Sequence, residues 1–93
     1  MGSSWTEDLV DLVNKEVVLD TAGSLLYLGT LAKVTESGMW LDQADVRDQK
    51  EGHVSKELYI IEAAQNGIRV NRQRVFVARA TVLSVSALAE VIT

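Results

Sequence analysis

Ninety-three residues, 47% of them hydrophobic, suffice for one small core, and a formal net charge of −4 argues against binding nucleic acid through overall charge. The absence of cysteine excludes disulfides, thiolate metal sites and a cysteine nucleophile. No apolar run approaches the roughly 20 residues of a membrane span. Glu7, Asp8 and Asp11 break the N-terminal apolar pattern, so no signal peptide is legible and a cytoplasmic location is expected.

The chain begins with Ser4-Trp5-Thr6-Glu7, which fits a capping box with Ser4 as N-cap. Trp5, Leu9, Leu12 and Val13 follow at helical spacing and predict a helix over 5–13, too short to persist unless its apolar stripe docks. Lys15 to Thr21 is the first predicted strand, with Val17 and Leu19 inward and Glu16, Val18 and Asp20 outward. After a turn at 21–24, Leu25 to Val34 is the second strand. Gly29 interrupts its apolar run and marks a sharp bend or a close backbone approach. Thr35-Glu36-Ser37-Gly38 is a turn cluster, and Met39 to Val46 runs back as the third strand. A strand that bends at glycine and returns at once is how a small sheet curls into a barrel.

Residues 48–53 form a charged loop with a turn at Gly52. Ser55 and Gly67 then bracket a helix over 55–66, inserted between strands three and four and docking through Leu58, Tyr59, Ile61 and Ala64. Ile68 to Val70 is extended, Arg74 to Ala78 is the fourth strand, Arg79-Ala80-Thr81 a very tight turn, and Val82 to Ser86 the fifth strand. Leu88, Val91 and Ile92 make a short apolar tail. The expected architecture is therefore mainly β. It is a five-stranded, strongly bent SH3-like barrel with an N-terminal helix and a helical insertion, in one domain over 1–93.

Charge is unevenly spread. Residues 1–66 carry twelve acids against five bases, whereas 67–79 carry Arg69, Arg72, Arg74 and Arg79 and no acid. Two readings stand side by side: a solvated strand edge balanced by acids on neighbouring strands, or a local anion-binding face on an acidic body.

The layout and several short stretches resemble the Sm-like (LSm) family, which includes the bacterial Sm-like RNA chaperones. Gly29-Thr30-Leu31 resembles the Gly-x-Leu of the first Sm signature, Met39-Trp40-Leu41 falls where the family has Met-Asn-Leu, and Asp45 sits near its acidic position. Ala78-Arg79-Ala80, ahead of Val82-Leu83-Ser84-Val85, looks like the second signature of apolar residue, Arg and Gly. The resemblance covers about residues 5–50 and 72–86, with a generic SH3-like or OB-type barrel as the competing architecture. It implies a homo-oligomeric ring of five to eight subunits, in which the fourth strand of one copy pairs with the fifth of the next. Val75, Phe76 and Val77 would then meet Val82, Leu83 and Val85 at that interface. Physical reasoning favours the same arrangement, because open barrel edges invite aggregation unless they are paired, and no Pro or Lys blunts 75–77.

The resemblance also implies single-stranded RNA at the pore, with Arg79 matching the family's Arg. Three positions depart from the pattern. Trp40 stands at the base-reading Asn, Ala80 at the Gly after the Arg, and the turn before Trp40 lacks the family's Asp. Trp40 is either a stacking platform that does not read the base or a core or interface side chain. Arg79 either meets RNA or pairs with an acid such as Asp45.

His53 is a single exposed imidazole without a nucleophile, and the glycines lie in separate turns, so no catalytic residue, phosphate loop or cofactor is expected and the chain is not read as an enzyme. Asp42, Asp45, Asp48 and Glu51 recur every three residues, which strict strand alternation scatters over both faces. They read as a solvated acidic edge, not a metal site. The leading function is a ring that binds single-stranded RNA with low sequence specificity through Trp40, Arg69, Arg72, Arg74 and Arg79. The alternative is a ring-shaped structural or adaptor protein that holds protein partners and touches no nucleic acid.

Overall fold

The computed structural model describes residues 4–50 and 55–93. Glu51, the turn expected at Gly52, and His53 lie outside the described residues. Helix α1 spans Ser4–Leu9 and passes into a 3-10 turn at Val10–Leu12. Five strands follow: β1 (Glu16–Thr21), β2 (Leu25–Thr35), β3 (Gly38–Asp48), β4 (Arg72–Ala78) and β5 (Val82–Ala87). Helix α2, Lys56–Asn66, lies between β3 and β4. Ser4 is the first helical residue of α1, so its cap position falls on residue 3, outside the described residues.

All five strands form one antiparallel sheet in the order β4-β3-β2-β1-β5. β4 and β5 are joined by a single 3-10 turn at Arg79–Thr81, yet they lie at opposite ends of that order. The chain can cross in three residues only because the sheet curls until its ends approach. Two irregularities in the β2–β3 pairing produce the curl. Thr30 pairs with Asp42 but Leu28 with Asp45, which leaves an extra residue on β3 where Gln43 has a φ of 50°. Leu31 pairs with Leu41 but Lys33 with Trp40, an extra residue on β2. Gly29 lies opposite the first bulge, and a Cβ there would come within 3.1 Å of the Ala44 Cα, which explains the glycine in an apolar run.

Inside the curl, Val17, Leu19, Leu31, Met39, Leu41 and Val77 form the main core, closed at one end by Leu9 of α1. The outer face of β1 and β2 is buried as well. Val18, Leu26 and Leu28 pack beneath Ala63 of α2 and Leu88 of the tail. Val18 therefore does not face water as period two suggested, because α2 covers that side. Covering Leu26 and Leu28 contributes about 1.5–3 kcal/mol each. This second core is what holds an eleven-residue helix in place.

Local chemistry sets the ends of α2. The Ser55 hydroxyl accepts from the Leu58 N–H at 3.2 Å, and Gly67, with a φ of 95°, donates its N–H to the Ala63 carbonyl at 2.8 Å. The docking face agrees with the expected one at Tyr59 and Ala64 and differs elsewhere: Leu58 is exposed, and Ile60 and Ala63 complete the contact.

Asp45 corrects the expectation of a solvated acidic edge, for it is 0% exposed. The bulge at Gln43 puts Asp45 on the same face as Asp42, beneath α2. There its carboxylate accepts from the Tyr59 hydroxyl and from Asn71 Nδ2 at 3.1 Å, and pairs with Arg47 Nε at 2.8 Å. Arg47 also donates to the Tyr59 oxygen at 2.7 Å. Asn71 in turn holds both the N–H and the C=O of Val46, at 3.0 Å each. One carboxylate thus joins β3, α2 and the lead-in to β4.

Burial pushes the Tyr59 hydroxyl above its ordinary 10.0, and its bond to Asp45 adds to the shift while Arg47 opposes it. The folded state therefore holds this proton more tightly than the unfolded chain. The corresponding stability is complete below pH 10 and is lost as pH rises through the higher folded value. Urea melts between pH 8 and 11.5 should show that decline, and Tyr59→Phe should flatten it; an unchanged slope in the variant would assign the decline to other groups.

Candidate nucleic-acid interface

The turn between β2 and β3 contracts to Glu36-Ser37, and Trp40 follows it by three residues on β3. Cross-strand pairing sets Trp40 beside Phe76 and Asp42 beside Arg74, all on the outer face of the β3–β4 ribbon. The Trp40 and Phe76 rings sit 5.1 Å apart at 57°, and the Arg74 guanidinium lies over the indole at 4.8 Å. Arg74 Nε also pairs with Asp42 at 3.4 Å, more than half exposed. Lys33 is the β2 partner of Trp40. The result is a half-open aromatic pair with cations on either side, next to the free edge of β4. Such a surface offers flat apolar contact and positive charge together.

Arg79 is elsewhere engaged. Its backbone N–H donates to the Ser37 carbonyl at 2.8 Å, which draws the β4–β5 turn against the β2–β3 turn. Its guanidinium lies 5.1 Å from the Trp5 ring, whose Nε1–H donates to the Thr35 carbonyl at 3.0 Å. Asp45 is fully engaged within its own chain, so it is not the partner of Arg79.

The remaining predicted residues scatter. Arg69 pairs with Glu62 of α2 at 2.6 Å, and Arg72, at the start of β4, donates to the Asn71 carbonyl at 3.0 Å. The four arginines thus divide: Arg74 joins Trp40 with Arg72 two residues before it on β4, while Arg69 pairs with α2 and Arg79 lies over Trp5. Of the residues expected at a subunit contact, Phe76 and Leu83 are exposed, Val75, Val82 and Val85 half-buried, and Val77 buried in the core of its own chain. Val77 has only backbone to offer an edge. Phe76 and Lys33 are the residues of the aromatic surface that sequence reasoning missed; counting cross-strand partners of Trp40 through a bulge was the only signal for them.

Among the described residues, no group of three or more His, Asp or Glu is placed to hold a metal ion, and no helix is long and apolar enough to cross a membrane.

No protein-family profile and no curated protein matches this sequence. Solved structures do match in shape. The Sm protein of Pyrococcus abyssii, solved in complex with a uridine heptamer, superposes with a TM-score of 0.60 at 12% identity, over 87% of this chain and 93% of its own. The P. aerophilum SmAP1 heptamer matches with a TM-score of 0.60 at 19% identity, over 94% and 96%. The fold is that of the Sm-like proteins, as the two signature-like stretches and the bent second strand implied.

Proposed function

We propose that this chain assembles edge to edge, β4 of one copy beside β5 of the next, into a closed ring that binds single-stranded RNA with little base preference. The surface made by Trp40, Phe76 and Arg74 is the observation that carries the reading: two rings on which a base can stack, and a guanidinium for the adjoining phosphate. The open edges of β4 and β5 supply the reason to assemble, since each strand has a neighbour on one side alone. A structural neighbour bound to a uridine heptamer and another that is itself a heptamer support both halves. Trp40 in place of an amide means that bases are stacked, not read.

Trp5→Phe leaves Trp40 as the reporter. Oligouridine and oligoadenine should both quench it, with affinities within about tenfold of each other, and binding should weaken steeply with salt. Trp40→Ala should cost about 1–3 kcal/mol per stacked base, and Arg74→Ala should lower both the affinity and the salt dependence. An assembly whose Trp40 ignores RNA would overturn the nucleic-acid half. That result would favour the adaptor reading, which draws on the acidic partners already holding Arg69 and Arg74.

A further inference from the structure

The two open edges differ in chemistry as well as position. Ser86 pairs with Val18 and Ser84 with Asp20, so both serines lie on the face covered by α2. Beside them, between β5, α2 and the tail, runs an open groove of about 410 Å³. Ile60 and Val91 supply its apolar wall and Asp20, Glu57 and Glu90 its acids, Asp20 already paired with Lys56 at 2.6 Å. Both glutamates are exposed, and neither has an ion-pair partner among the described residues. Ile92, at the mouth, is 92% exposed.

The residues that lead into β4 are the complement. Val70 is exposed, and Arg72 is exposed and has no acidic partner among the described residues. Every neighbouring pair in this sheet is antiparallel. If the sheet continues in that way across a joint between copies, the start of β4 lies beside the end of β5, where Glu90 and Val91 follow.

We infer that the groove beside β5 seats Val70 and Arg72 of the next copy, Val70 against Ile60 and Val91, and Arg72 between Glu57 and Glu90. This rests on the edge-to-edge assembly proposed above and adds what selects the joint. The stretch 67–79 carries arginines and no acid, and the groove beside β5 carries Glu57 and Glu90, so two like edges brought together join surfaces of the same sign. Only the head-to-tail pairing brings unlike charges into contact. Like-edge dimers, which would block a ring, are thereby disfavoured.

Light scattering on the full chain and its variants tests this. The wild-type protein should run as an assembly whose dissociation constant rises by about tenfold or more from 50 mM to 1 M salt. Glu57→Lys with Glu90→Lys should shift it to subunit mass, and Arg72→Glu should do the same, each with an unchanged circular dichroism spectrum. All three reversals in one chain should restore the assembly. A wild-type chain that stays at subunit mass would bring down the assembly reading, and this inference with it. An assembly indifferent to both reversals, or one that the combination does not rescue, would overturn this inference alone.

Discussion

Asp45→Ala should lower the stability of the fold by on the order of 3–5 kcal/mol, read as a fall in urea midpoint at unchanged slope. The carboxylate is 0% exposed and receives the Tyr59 hydroxyl, Asn71 Nδ2 and Arg47 Nε. Removing it leaves the half-buried Tyr59 hydroxyl without its acceptor and the Arg47 guanidinium without its anion, which costs more than the pair contributed when intact. For a domain of this size each kcal/mol moves Tm by about 4–8 °C, so the drop in Tm should exceed roughly 12 °C. Because Asn71 also holds the Val46 backbone, the start of β4 should loosen with α2, visible as faster amide exchange at 71–74. A variant within about 1 kcal/mol of wild type would show that this network contributes little.

Gly38→Ala should be nearly as damaging, for a different reason. A Cβ at Gly38 would lie 2.1 Å from the Val77 carbonyl oxygen and 2.8 Å from the Phe76 ring. The first of these is backbone, so no rotamer change relieves it, and β4 must move away from β3 at their pairing of Gly38 with Ala78. Overpacking of this kind costs about 1–3 kcal/mol and occasionally more. The displaced strand carries Phe76 and Arg74, so Trp40 fluorescence should change as well. Gly23→Ala, where nothing lies within 4 Å of the added methyl, is the matched control and should be close to neutral. Equal stability of the two variants would contradict the close approach.

Much of the fold was legible because the punctuation is local: a glycine in an apolar run at 29, a turn cluster at 35–38, Ser55 and Gly67 around a helix. What escaped the sequence depends on which side of the sheet α2 covers. Period two assigns Val18 to water only if one face is open, and α2 removes that condition. The same cover explains Asp45, since an acid on a strand is ordinarily solvated, and a bulge at Gln43 turned this one under the helix. At the candidate site, Trp40 and Arg74 were legible as an aromatic and a cation on adjacent strands. The contact of Arg79 with Trp5 was not legible, because Trp5 lies 74 positions away by numbering, on a helix whose docking angle no local pattern encodes.

The place of β1 bears on how this protein is made. β1 is flanked by β2 and β5, and its two sides line two different cores. The first strand of the fold therefore gains its second neighbour only when Val82–Ala87, the last strand in chain order, has emerged. Until then a growing chain holds Val17, Val18 and Leu19 half-clothed, the kind of delay that makes such topologies fold slowly and renders truncated products sticky.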